Sequence, residues 1–221
     1  MPASRIIRRH DLVFIRRESW RTLLMTRDDF AAIPLATRWI ENGWPVVARR
    51  YTPDDKNGVP LGLPLPSSAG KRRLSVCLPP DSIVAVVPPL SLKAVCRDAP
   101  EPWQPMLEEL AELAVQHWVD IRVCGDLAWQ VLTSLNYLTD RSDLEVLIQI
   151  HPGVDVRALT AALAGIECAA PTRLEGELIR EDGAAADWRE FHDGAHEVLV
   201  QTISSAARIG SGRFISGGPL F

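Results

Sequence analysis

Two carboxylates set two residues apart, Asp143 and Glu145, open the apolar segment DLEVLIQI (143–150). As a strand, this segment projects residues i and i+2 from one face, which puts the pair side by side where solvent and ligand can reach. Like charges so close are costly unless a cation sits between them. Hard oxygen ligands of this kind suit Mg²⁺, which keeps several waters and bridges substrate phosphates. An acidic strand start that simply faces water uses the same residues. Upstream, the run IRVCG (121–125) predicts a strand that ends in a tight turn at Gly125. LAWQVLTSL (127–135) then predicts a short helix leading back toward the carboxylates.

The elements that must position these groups differ between the two halves of the chain. Residues 1–75 hold 14 Lys/Arg against 7 Asp/Glu, whereas the remainder holds 10 against 21, for a net charge of −4. A basic module suits phosphates or an acidic protein, and an acidic one suits metal ions. Two solvated surfaces of opposite sign that hold the halves together are the plainer alternative. Nucleic acid is not an expected partner, because the basic residues form no stripe interleaved with aromatics. No apolar run approaches the roughly 20 residues that cross a bilayer, and MPASRIIRRH is not followed by an apolar signal region, so neither a membrane span nor secretion is expected. Cys77, Cys96, Cys124 and Cys168 lie too far apart for a CxxC motif and fit reduced thiols in the cytoplasm.

Strands are predicted at 8–15, 44–52 and 71–78, a short apolar run stopped by Pro88 and Pro89 lies at 82–92, and the segment 53–70, dense in Pro, Gly, Asn, Asp and Ser, is expected as a loop or irregular extended stretch. Further on, Met106, Leu107, Leu110, Leu113, Ala114 and Val115 recur at helical spacing over 102–118. A second helix over 154–166, ending near Gly165, and strands at 173–181 and 196–203 complete an α/β arrangement with a mixed sheet. Five prolines between Pro88 and Pro105 mark the join. The expected domains are a smaller, basic, β-rich one over 1–85 and an α/β (α+β) one over 86–221.

The order hydrophobic–Gly–small residue, helix, then Asp-hydrophobic-Asp/Glu-hydrophobic resembles the nucleotidyltransferase signature. In that signature the Gly turn and helix N-terminus approach a triphosphate, and the carboxylates hold the metal ions that bind it. Gly125, Leu127-Ala128-Trp129-Gln130, Leu132-Thr133, Tyr137-Leu138 and Ser142-Asp143-Leu144 further resemble the malonate decarboxylase holo-acyl-carrier-protein synthases, or phosphoribosyl-dephospho-CoA transferases. Arg9-His10-Asp11, Leu61-Gly62-Leu63-Pro64, Lys71-Arg72-Arg73-Leu74, Gly176-Glu177-Leu178 and Trp188-Arg189-Glu190 extend the likeness along nearly the whole chain. The family pattern has Gly-Ser where Gly125-Asp126 stands here, Asp in place of Glu145, and Lys in place of Gln201. An ionised Asp126 cannot donate a hydrogen bond to phosphate as Ser does; it joins the metal site or repels the triphosphate.

The resemblance implies a nucleotidyltransferase-like C-terminal domain that uses Mg²⁺. It would transfer the prosthetic group of 2′-(5″-triphosphoribosyl)-3′-dephospho-CoA to a serine of the acyl-carrier subunit of malonate decarboxylase. Asp143 and Glu145 are the implied metal ligands and catalytic pair, with Glu177, or second Glu175, as the third carboxylate. Gly125 and Asp126 would face the triphosphate. Arg49, Arg50, Lys71, Arg72 and Arg73, with Arg9 behind them and Arg189 from the other half, are the implied phosphate contacts. Strand alternation allows only one of each adjacent pair to point inward. His10 is expected to be structural beside Asp11, and Trp129 to pack in the core. A transferase with another donor or acceptor and a non-catalytic binder of carrier protein or CoA are the rival readings.

Overall fold

A computed structural model describes residues 6–55, 57–70 and 72–218 of the 221-residue chain. The chain divides into two compact units. One takes the residues up to Pro89 together with Leu132–Tyr137; the other takes Leu90–Val131 and the residues from Leu138 onward. The division expected after residue 85 falls slightly early, and it has no place for the returning segment 132–137. In the first unit that segment is tied down by Tyr137, whose buried hydroxyl donates to the Pro64 carbonyl at 2.9 Å.

The first unit runs β1 (Leu12–Ile15), α1 (Arg17–Thr26), α2 (Asp28–Ala31), α3 (Pro34–Arg38), β2 (Val46–Ala48), β3 (Val59–Pro64), β4 (Arg73–Leu78) and β5 (Ile83–Val87). Its sheet has the order β4-β3-β2-β1-β5, antiparallel throughout. The three helices were not expected. α1 buries only Trp20 and Leu23, too thin an apolar stripe to register as helical periodicity. Trp20, Phe30 and Trp39 from this region are nonetheless among the largest fully buried side chains. The indole of Trp20 donates to the Ala36 carbonyl at 3.0 Å and that of Trp39 to the Pro45 carbonyl at 2.8 Å, which satisfies both polar tips.

The segment 53–70 corrects the expectation of a loop, because it contains β3, buried along its whole length. Proline in an interior strand removes a ladder donor. Here Pro60 and Pro64 lie outside the short stretch that pairs with β2, where the partners are Val47 with Gly62 and Ala48 with Leu61. Turn-type composition therefore masked a strand whose prolines sit where the neighbouring three-residue strand has ended.

The second unit runs β6 (Leu90–Ser91), α4 (Leu92–Val95), α5 (Gln104–Gln116), β7 (Asp120–Cys124), α6 (Gly125–Thr133, whose last two residues belong to the first unit), β8 (Leu144–Gln149), α7 (Val156–Ala169), β9 (Leu174–Ile179), β10 (Ala185–Asp187), α8 (Trp188–His192), β11 (Glu197–Gln201), β12 (Ala206–Gly210) and α9 (Ser211–Ile215). The sheet order is β12-β11-β10-β9-β8-β7-β6. β8 and β9 pair in parallel, joined by α7 as the crossover, and the other described pairs are antiparallel. The mixed sheet expected from the sequence is present. α7 passes through Gly165, where it was expected to end, because its apolar stripe continues to the buried Ile166 and one interior glycine costs only about 1 kcal/mol. Asp155 caps its start, accepting from the Ala158 N–H at 3.0 Å. β10, α8, β12 and α9 were not expected; at three to five residues each they carry too little periodicity.

One sheet face carries the core. Ile121, Val123, Leu144, Val146, Ile148, Leu174, Leu178, Val198 and Val200 pack with Leu107 and Leu110 of α5 and Leu159 and Leu163 of α7. Gly176 belongs to this face, and a Cβ there would stand 3.0 Å from both Trp188 Cδ1 and Val146 Cγ2. The alternate residues of the same strands form the opposite face.

Candidate functional site

Register places the carboxylates on that opposite face. Across adjacent strands, Cys124 of β7 is level with Glu145 of β8 and Glu175 of β9. The next row along the strands is Arg122, Leu147, Glu177 and Asp187. Strand alternation thus turns four acidic residues from three strands, Glu145, Glu175, Glu177 and Asp187, onto one face. Asp143 directly precedes β8, so the pleat alone does not set its direction.

Glu145 reaches the start of α6. Gly125 is the first residue of that helix and has φ +67°, and a Cβ there would collide with the Glu145 carboxylate. The left-handed backbone favours glycine here, and any added Cβ would make the Glu145 carboxylate shift. The first N–H groups of a helix lack intrahelical acceptors and carry partial positive charge. The fold thereby brings the Glu145 carboxylate and the start of α6 together.

Asp126, in the first turn of α6, is engaged with the segment that carries Asp143. The buried Ser142 hydroxyl donates to Asp126 Oδ2 at 2.7 Å and accepts from the Thr139 N–H at 3.1 Å. The Ser142 carbonyl accepts from the Thr172 hydroxyl at 2.8 Å, and the next strand residue, Leu144, donates its N–H to the Arg173 carbonyl at 3.0 Å.

The two candidates for a third carboxylate differ. Glu175 pairs with Arg173 at 2.7 Å and Arg189 at 3.5 Å, which offsets its charge beside Glu145. Glu177 has its Oε2 buried on the same face. Asp187, which the sequence reading passed over, shares its row, but its Oδ1 accepts from the Arg189 N–H at 2.8 Å and caps α8. The signal for Asp187 was Asp-Trp at the end of AAADW, obscured by the brevity of β10.

Arg189 is held in a structural knot. Its guanidinium bonds Glu167, donates to the Leu174 carbonyl at 2.9 Å and lies 4.7 Å from the Trp188 ring centre. Glu167 also accepts from the Leu174 N–H at 2.9 Å, and the Trp188 indole donates to the Leu174 carbonyl at 3.1 Å. The knot ties α7, the start of β9 and α8 together.

The other basic candidates lie in the first unit. Arg49 grips Asp55 with two hydrogen bonds of 2.7 and 2.5 Å and donates to the carbonyls of Leu61 and Arg50. The guanidinium beside Asp55, helped by the Thr52 N–H and hydroxyl, holds that carboxyl well below the usual carboxylate range. Arg50, Arg72 and Arg73 are exposed. One member of the Arg49–Arg50 pair is therefore turned inward and the other outward. Lys71 lies outside the described residues. His10 sits at φ +68° and donates its N–H to the Ala48 carbonyl at 2.9 Å, while buried Asp11 accepts from the Arg8 N–H at 2.9 Å, a turn-forming arrangement. Trp129 is buried.

Asp143, Glu145 and Glu177 are hard oxygen donors of the type Mg²⁺ takes. Among the described residues no three His, Cys, Asp or Glu side chains are gathered closely enough to hold a metal by themselves. The donor set fits Mg²⁺ in kind, because this ion usually takes one or two carboxylates and completes its shell with water and phosphate oxygens.

Fold and site together define a two-domain α/β protein: a β-rich N-terminal domain, then a mixed-sheet domain with an acidic face opening at a helix start. Residues 8–89 match the phosphoribosyl-dephospho-CoA transferase MdcG N-terminal domain and residues 91–210 match the MdcG C-terminal domain. The chain belongs to this family. It is 47% identical over 209 residues to the phosphoribosyl-dephospho-CoA transferase of Bradyrhizobium diazoefficiens, covering 95% of this chain and 92% of the relative. It is 36% identical over 196 residues to the enzyme of the same name from Xanthomonas euvesicatoria pv. vesicatoria, covering 88% and 90%. No solved structure gives a significant match. No helix among the described residues is long and apolar enough to cross a membrane.

Proposed function

We propose that this protein is a Mg²⁺-dependent nucleotidyltransferase that attaches the phosphoribosyl-dephospho-CoA group to a serine of the malonate decarboxylase acyl-carrier subunit. The donor is 2′-(5″-triphosphoribosyl)-3′-dephospho-CoA. The serine oxygen attacks the α-phosphorus, the bond to the pyrophosphate oxygen breaks, and the serine proton is lost to solvent or a basic group. A phosphodiester-linked prosthetic group and pyrophosphate are the products. Membership of the transferase family supports the group transferred. The observation that carries the reaction type is the Glu145 carboxylate seated against Gly125 at the start of α6.

Asp143, Glu145 and Glu177 would hold the Mg²⁺, which when bound neutralises triphosphate charge. The N–H groups at the start of α6 orient the phosphates, so positioning and fixed charge supply most of the rate, as expected for phosphoryl chemistry. Exposed Arg50, Arg72 and Arg73 supply long-range attraction for a polyanionic donor, while Arg49 and Arg189 maintain the backbone around their ion pairs. The four free cysteines accord with a reducing cytoplasmic setting.

Intact mass of the carrier subunit after incubation with protein, donor and Mg²⁺ tests this proposal. The expected result is a gain equal to the prosthetic group, lost with Asp143→Asn. A folded wild-type protein that leaves the carrier unmodified, beside a family enzyme that modifies it, would establish a binding protein instead.

A further inference from the structure

Asp126 follows Gly125 in the first turn of α6, and its geometry assigns it work that the carboxylate pair does not do. Its Oδ2 accepts the Ser142 hydroxyl at 2.7 Å. Ser142 is 6% exposed, its N–H donates to the Thr139 carbonyl at 3.0 Å, and its hydroxyl also receives the Thr139 N–H at 3.1 Å. The Thr172 hydroxyl binds its carbonyl at 2.8 Å from the other side. The turn 139–142 is thus a closed hydrogen-bonded unit, and the residue that leaves it is Asp143. The Asp126–Ser142 bond joins this unit to the first turn of α6, two elements separated by 16 residues of sequence.

An ionised acceptor makes a short, charge-assisted hydrogen bond, stronger than the neutral one a serine at position 126 would form. The negative charge also stands in the first turn of a helix, where the helix dipole favours it. Both effects make Asp126 a rigid strut at a point where repulsion of the donor was the alternative.

We propose that Asp126 is a positioning residue: through Ser142 it fixes the turn that carries Asp143 and so sets the distance between that carboxylate and the start of α6. The proposal rests on the transfer reading given above. A misplacement of about 1 Å at such a site costs up to about 100-fold in rate.

Hydrogen–deuterium exchange over residues 139–144, which needs neither donor nor carrier, is measured on wild type, Asp126→Ala, Asp126→Asn and Ser142→Ala. Steady-state transfer kinetics follow on the same proteins. Asp126→Ala and Ser142→Ala are expected to speed exchange across this segment. Both should lower kcat by about 10- to 100-fold with the donor KM within about twofold of wild type. Asp126→Asn, whose amide oxygen still accepts the serine hydroxyl but without the charge, is expected to fall between Asp126→Ala and wild type in both. Unchanged exchange in Asp126→Ala and Ser142→Ala overturns the strut. Faster turnover or a lower donor KM in Asp126→Ala overturns it in favour of repulsion. An Asp126→Asn protein as impaired as Asp126→Ala overturns it in favour of direct metal ligation. If Asp126→Ala fails to fold, Ser142→Ala breaks the same bond from its other end. A wild-type protein that transfers nothing removes the transfer reading, and the exchange result then decides by itself whether Asp126 holds the turn.

Discussion

Gly125 shows how one missing side chain organises the candidate site. The carboxylate of Glu145 occupies the volume that a Cβ would take, and the backbone there has φ +67°. Gly125→Ala should cost about 1–2 kcal/mol from the left-handed conformation. It should also displace Glu145, so transfer per folded molecule is expected to fall by up to about 100-fold. Thermal unfolding and carrier mass gain, measured on the same preparation, check the two parts separately. A substitution that lowers Tm while leaving transfer intact would show that the Glu145 contact has no bearing on the reaction.

At the scale of elements, the ion pairs decide which arginines are structural. Arg189 ties α7, β9 and α8 through Glu167, the Leu174 carbonyl and Glu175. Arg189→Ala should destabilise by about 1–3 kcal/mol, because it removes the charged donor from Glu167 and leaves it with the Leu174 N–H alone. The donor KM of the remaining folded protein should stay near the wild-type value; a large rise with stability unchanged would make Arg189 a phosphate contact instead. Asp55 gives a pH signature for the first unit. Its side chain is 5% exposed, and the Arg49 hydrogen bonds depress its folded-state pKa below the ordinary unfolded value of about 3.9. Stability from this pair is present above that value and is lost as pH falls through it toward the folded one. Asp55→Asn should therefore be less stable than wild type at pH 7, with the gap closing below about pH 4. Urea unfolding across that range measures the gap; a gap that does not narrow would detach it from the carboxylate charge.

At the scale of the molecule, charge is divided between the two halves. The first 75 residues hold 14 Lys/Arg against 7 Asp/Glu, and exposed Arg50, Arg72 and Arg73 belong to that excess. Reversing Arg72 and Arg73 to Glu should raise the donor KM several-fold, steeply at low ionic strength and weakly above about 0.5 M salt, with kcat little changed. Loss of kcat at constant KM would place these arginines in the chemistry. In the acidic half, Glu145, Glu175, Glu177 and Asp187 stand on the sheet face away from the core.

The sequence by itself determined the local facts. α5 and β8 follow from uninterrupted apolar periodicity, and Gly125, Asp143 and Glu145 follow from a strand, a turn and a strand start, because each depends on neighbours within a few residues. Composition hid β3 behind its prolines and α1–α3 behind thin apolar stripes, since burial there comes from partners far along the chain. Tertiary structure alone decided that Glu175 pairs with arginines, that Arg49 turns inward to Asp55, and that Asp126 reaches Ser142. It also returned residues 132–137 to the first unit. Side-chain partners are chosen by sheet register and packing, which bring together residues whose separation along the chain carries no signal of their contact.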